Sequence, residues 1–261
     1  MIQKANDSDI EDILKIVAQA PLENIILIAD ITQLKEWCDI RIYWDNDSIK
    51  GVFSLYKDLD FLAGAFWVDN SDTLAALIGD FGEVLKGARM VFMCTSEQLR
   101  TLQAIAKHVE AIEERQMVME DPSQLKCKEF SETHRLTKED IEDLREVYAL
   151  SGTPAWTPNA LDLGPFFGVR NDEGRVIAVA GVHFVSKYGA ELGNIATHPA
   201  YRRKGYAQCV VAAATKELLK ESDRVVLHFF SDNVAAQKLY ERMGFVYSSA
   251  DPVFFTRVEL H

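Results

Sequence analysis

The sequence predicts an α/β protein of two similar halves in tandem, each a mixed, mostly antiparallel sheet flanked by helices. Three observations predict it. The length of 261 residues suits one large domain or two ordinary ones. Strand-like and helix-like runs follow in the same order in residues 1–128 and 129–261. Hydrophobic residues are 48% and charged residues 26%, the balance of an ordinary soluble globular chain.

In the first half, Ile10, Ile13, Leu14 and Val17 fall at helical spacing, and a second helix is expected through 22–37. Strand-like runs follow at 41–44, 49–56 and 61–68. Leu74, Leu77, Ile78, Phe81 and Leu85 share one face of a helix expected over 73–86. A strand at 89–94, a helix at 97–108 and a strand near 116–119 complete this half.

In the second half, Thr137 or Ser131 opens a helix over 139–150, with Ile141, Leu144, Val147 and Tyr148 on one face. The Pro/Gly-rich stretch 151–158 cannot be one regular element. Strands are expected at 166–170 and 175–186 around the turn signal Asn171-Asp-Glu-Gly174. A strand over 190–197 leads through an irregular link to a helix over 208–221. Ala207, Val210, Val211, Ala214, Leu218 and Leu219 line one face of that helix. A strand at 225–230, a helix at 234–243 stopped by Gly244, and strands at 245–247 and 253–258 follow.

The link His198-Pro-Ala-Tyr-Arg-Arg-Lys-Gly-Tyr-Ala207 carries the most chemistry. Arg202, Arg203 and Lys204 meet Gly205 where a helix begins. A helix N-terminus has unpaired N–H groups and a positive dipole end, which argues against three cations there without an anion partner. Gly205 and the small Ala207 let the backbone approach that anion. The amides of residues 203–208, Tyr206 included, read as a pyrophosphate cradle, with Arg202 or Arg203 adding charge-assisted bonds. The alternative is a basic helix start on a solvated face. The matching link of the first half, Val68-Asp-Asn-Ser-Asp-Thr73, has no Arg, Lys or Gly, and Asp69 and Asp72 would repel a pyrophosphate. Ser71 or Asp72 is the expected cap there.

The pattern Arg202-x-x-Gly205-x-Ala207 resembles the acyl-CoA signature of the GNAT N-acetyltransferase superfamily. Glu191-Leu-Gly-Asn-Ile-Ala-Thr197 resembles that family's fourth strand. Asn233, Leu239-Tyr240 and Gly244-Phe245 fall where the family places similar residues. The resemblance covers roughly residues 129–261. It implies acetyl-CoA, or a close acyl-CoA, as co-substrate and a primary amine as acceptor. It also implies that the backbone of Ile195, Ala196 and Thr197 pairs with the pantetheine arm like an added strand, and that Asn233 bonds the same arm, although Asn233 or Asp232 also suits a helix cap.

Within that resemblance Tyr240 is the candidate general acid for the leaving thiolate, because a phenol keeps its proton to about pH 10. Its alternative is core packing. Glu191, 14 positions before Gly205, is the candidate general base, directly or through water; its alternative is a strand-edge carboxylate. Trp156, Phe166 and Phe167 lie where the family lines its acceptor pocket, or else plug the core. The resemblance implies direct transfer in a ternary complex, and with no Cys or Ser in a nucleophile motif a covalent acyl-enzyme is not needed. The rival readings are a non-catalytic acyl-CoA-binding sensor or scaffold, and an interaction protein with a vestigial cradle.

The formal net charge is −12, about −9 of it in residues 1–128 and −3 in the rest. That imbalance argues against a nucleic-acid partner and suits a small-molecule or peptide amine, though it also serves solubility. Cys38, Cys94, Cys127 and Cys209 are far apart, and the six histidines have no ligand spacing, so no metal and no disulfide are expected. With no membrane-length apolar run and no signal-like N-terminus, a cytoplasmic location is expected, and a homodimer is left open. The first half is expected to be a degenerate copy that supports the second or shapes its substrate site.

Overall fold

The computed structural model describes residues 1–127, 132–151 and 156–261. Its chain divides into two compact units, Met1–Gln116 with Ser249–His261, and Met117–Ser248. The expected division at 128/129 falls on residues outside those described, as does Ser131.

The first unit contains β1 (Ile2–Lys4), α1 (Asp7–Val17), α2 (Ile25–Ile31), β2 (Cys38–Asp45), β3 (Ser48–Tyr56), β4 (Leu62–Val68), α3 (Ser71–Gly79), β5 (Arg89–Thr95), α4 (Ser96–Ile105) and most of β6 (His108–Met119). Asn6 and Thr95 close capping boxes on α1 and α4, each satisfying helix N–H groups that water would otherwise have to take. The helix expected through 22–37 is interrupted. Thr32 turns its hydroxyl back onto the Ile28 carbonyl (2.6 Å) and leaves helical geometry, and a short 3-10 turn follows at Lys35–Trp37. The helix expected over 73–86 likewise stops at Gly79, before Gly82 adopts φ 54°. β1 carries too few residues to show a period.

The second unit contains the end of β6, then β7 (His134–Arg135), α5 (Ile141–Ser151), α6 (Ala160–Leu163), β8 (Phe167–Arg170), β9 (Val176–Ser186), β10 (Gly189–Thr197), α7 (Tyr206–Leu218), β11 (Val225–Phe230), α8 (Val234–Met243) and β12 (Val246–Tyr247). Thr137 is the residue that caps the turn leading into α5. Asn171 accepts the Glu173 and Arg175 N–H groups, and Gly174 takes φ 80°, which closes the β8–β9 hairpin.

Each unit holds a mixed, mostly antiparallel sheet. In the first the strand order is β1-β2-β3-β4-β5-β13-β6, where β13 is Val253–Glu259, and only β4 and β5 run parallel. In the second the order is β11-β10-β9-β8-β7, with only β10 and β11 parallel, and β12 pairs with Met117 and Val118. The terminal strand was expected to complete the second half. It lies instead between β5 and β6, zipped along its whole length on both edges. Asp251 pins the turn before it, accepting Arg115 Nη2 (2.5 Å) and the Gln116 N–H (2.9 Å). Backbone ladder bonds carry no sequence label, so a terminal strand does not announce which sheet it joins.

Each sheet has its own core. Phe53, Phe66 and Phe92 cluster in the first unit with Leu74, Leu77 and Leu102. In the second, Val210, Val211, Ala214 and Leu218 of α7 pack on Val179, Val182 and Leu192. The helical face predicted for α7 is the buried face, and each such side chain contributes roughly 1–3 kcal/mol on leaving water.

Candidate functional site

β10 and β11 are paired only at their start, Ala190 with Val225 and Glu191 with Val226. Beyond Glu191 the two parallel strands part. The cause lies in β10, which carries a bulge between Gly193 and Ala196 where Asn194 takes φ 50°. A bulge bends its strand and increases its twist, so β10 leaves β11 and stays with β9. Ile195, Ala196 and Thr197 lie on the departing stretch. Two carbonyls there are already engaged: that of Asn194 accepts the buried Tyr148 hydroxyl (2.8 Å), and that of Thr197 accepts Arg202 Nε (3.1 Å).

The cradle follows directly. His198 and Pro199 end the strand in a 3-10 turn, with His198 Nδ1 accepting the Ala200 N–H. Arg203 (φ 61°) and Gly205 (φ 88°) are both left-handed, two residues apart. Left-handed residues in such a turn gather successive N–H groups toward one point, an anion nest. Gly205 is the N-cap of α7 and supplies no side-chain bond to its first turn. Arg202, Arg203 and Lys204 are exposed, and Lys204 stands over the Tyr201 ring. No Asp or Glu occurs from 198 to 208. This donor set fits a diphosphate. Arg202 also braces the strand end through Thr197, so its charge is fixed rather than roaming. Beside the cradle a polar cleft of about 620 Å³ opens between Tyr201, Tyr206 and the Asn171–Gly174 turn.

Tyr240 is buried on α8, its ring 5.5 Å from Phe229 and 6.0 Å from Phe245. Its hydroxyl has no hydrogen-bond partner among the described residues, and burial pushes its pKa well above the usual phenol value. The ring packs in the core, and the phenol keeps its proton. Asn233 caps α8, accepting the Ala236 N–H at 3.1 Å.

Glu191 is buried, and His228 Nδ1 stands 2.8 Å from its Oε1. Burial alone would push the carboxyl up. The charge and hydrogen bond of His228, with the charge of His183, outweigh it and hold the carboxyl below its usual range. Neither histidine stands out in the sequence. The signal that could have found them is their position in strands adjacent to Glu191's own. Trp156 stacks 4.9 Å from Tyr148, Phe166 is fully buried, and Phe167 is partly so. These aromatics serve the core beneath the site.

The first unit repeats the plan without the site. β4 and β5 pair in parallel over Leu62–Gly64 and then part. There Gln98 Nε2 donates to the Phe66 carbonyl (2.9 Å), and the remaining cavity, about 10 Å³, admits one water at most. The helix that follows is capped by Asn70, and not by Ser71 or Asp72 as expected; its side chain accepts the Thr73 N–H. Asn70 thus gives α3 a side-chain cap that Gly205 cannot give α7.

Residues 130–245 match the family model for acetyltransferase (GNAT). Over those residues the chain is similar to a GNAT acetyltransferase domain. Solved structures place the fold of the whole chain with GNAT proteins. A GCN5-related N-acetyltransferase from Sphaerobacter thermophilus aligns with a TM-score of 0.69 at 11% identity, over 100% of this chain and 95% of its own. A tandem GNAT protein from the clavulanic acid biosynthesis pathway gives 0.66 at 10% identity, over 100% and 98%. A Drosophila protein gives 0.76 at 13% identity, over 100% and 98%. These identities speak for the fold alone. No curated protein matches the chain. That similarity fits acyl transfer from an acyl-CoA, and no helix among the described residues is long and apolar enough to cross a membrane.

Proposed function

We propose that the second unit transfers an acetyl group from acetyl-CoA to a primary amine by direct attack in a ternary complex. The observation that carries this reading is the parting of β10 from β11 beside the uncapped, glycine-opened start of α7. The diphosphate of acetyl-CoA sits on the turn 203–207, the Gln208 N–H being taken by the Gly205 carbonyl (2.9 Å), with Arg203 and Lys204 as counter-charge. The pantetheine arm runs along Ile195–Thr197 in the gap between the strands, and Asn233 stands at the far side of that gap. A backbone N–H near Ala196 holds the oxyanion formed by attack.

Tyr240 faces the leaving sulfur. A thiol titrates near 8.5 and a phenol near 10, and burial widens that difference, so full proton transfer to sulfur is uphill. Tyr240 therefore acts chiefly by donating a hydrogen bond to the sulfur as charge develops. Glu191, held ionised, supplies a fixed negative charge to the acceptor side. The net charge of −12 favours a cationic acceptor, whether a small amine or a peptide. The first unit, with its gap filled and its helix capped, is a supporting copy.

Calorimetry with acetyl-CoA and thiol release across a panel of primary amines test this reading together. Binding with turnover is expected. Binding without turnover for any amine points to a sensor, and absence of binding overturns the reading.

A further inference from the structure

We propose that His183, on the bulge of β9, is the group that takes the proton from the incoming amine, with Glu191 as its charge partner. The inference rests on the transferase reading above and deepens it.

The register of β9 and β10 slips between Glu191, opposite Phe184, and Leu192, opposite Val182. The extra residue on β9 is His183. Its imidazole lies over Gly193, where an added Cβ would overlap His183 Cδ2 and Nε2, so only glycine leaves the ring its seat. Glu191 and Gly193 are two apart on one strand and share a face. His228 reaches Glu191 on that face from β11. A carboxylate and two imidazoles from three adjacent strands thus meet beside Asn194, where β10 turns away from β11. The fold devotes two irregularities to this spot, the extra residue in β9 and the bulge in β10.

Chemistry assigns the roles. Glu191 Oε1 is taken by His228, and two imidazoles hold the carboxyl below its usual range, which makes it a poor acceptor for an ammonium proton. An imidazole, titrating in general near 6.5, is better matched to neutral pH. His183 is partly exposed and makes no hydrogen bond among the described residues, so its ring nitrogens are open to a substrate. The balance is complete. The ammonium gives one proton to His183, which passes it to solvent. The freed lone pair forms the C–N bond, the C–S bond breaks, and the second nitrogen proton ends on the coenzyme sulfur.

The test uses the full chain with putrescine as a cationic amine and hydroxylamine as a nucleophile already neutral at neutral pH. For His183→Ala, kcat with putrescine is expected to fall about 100-fold or more. The KM for acetyl-CoA and turnover with hydroxylamine stay near wild type, and added imidazole restores part of the loss. Gly193→Ala, which displaces the ring, reproduces the putrescine defect. Equal loss with both nucleophiles, or no loss with putrescine, overturns the role of His183. Failure of the wild-type protein to bind acetyl-CoA overturns the transferase reading instead.

Discussion

At Tyr240 a single oxygen separates packing from chemistry. Removing it leaves the ring contacts with Phe229 and Phe245 in place, so Tyr240→Phe is expected to keep the fold and the KM for acetyl-CoA. Its kcat is expected to fall about 100-fold or more in steady-state assays, the range of a lost proton or hydrogen-bond donor at a leaving group. Asp30 is the other telling side chain. It is 3% exposed on α2, and burial pushes its carboxyl from 3.8 up to about 7, with Ser54 and Cys38 pulling partway back. The folded form therefore holds a proton that the unfolded chain releases. That contribution is complete below pH 3.8 and is lost as pH rises through about 7. At about 1.4 kcal/mol per pKa unit the loss is on the order of 4 kcal/mol. Denaturant melts of Asp30→Asn should lose this slope and be the more stable at pH 8; a variant with an unchanged slope would assign the pH response elsewhere.

Two helices of similar sequence setting, α3 and α7, begin in opposite ways. Asn70 closes α3 onto itself, so Asn70→Ala is expected to lower stability by about 1 kcal/mol and leave acetyl-CoA binding alone. Gly205 opens α7 at φ 88°, where a β-branched residue is strained. Gly205→Val is expected to weaken acetyl-CoA binding at least tenfold by calorimetry while the thermal midpoint moves only modestly. Equal affinity in Gly205→Val would take the anion away from this turn. The contrast was legible in the sequence, because glycine, cations and missing carboxylates are local properties. The cap on α3 was expected at Ser71 or Asp72 and falls on Asn70, because Asn, Ser and Asp stand side by side at 70–72 and all cap well. The bulges of β9 and β10 left no mark in the sequence, since an extra residue shows only against its partner strand.

Over the whole chain, β13 decides the division into units. It is held on both edges by β5 and β6, so deleting residues 249–261 is expected to unfold the first unit, seen as lost protection of β5 and β6 amides in hydrogen exchange. A fragment of residues 129–261 carries β13 without those partners and is expected to be less soluble than one ending at 248; the reverse ranking would show that β13 does not depend on them. Periodicity and turn chemistry in the sequence determined the helices, the strands and the tandem plan, because each is written within a dozen neighbouring residues. The glycine and cations of the proposed anion-binding turn belong with them, since they are contiguous. Only the tertiary structure decided which sheet takes the last strand, where two parallel strands part, and that His183 and His228 close on Glu191. Those outcomes depend on ladder bonds and side-chain approaches between residues far apart in the chain, and no local pattern encodes such partners.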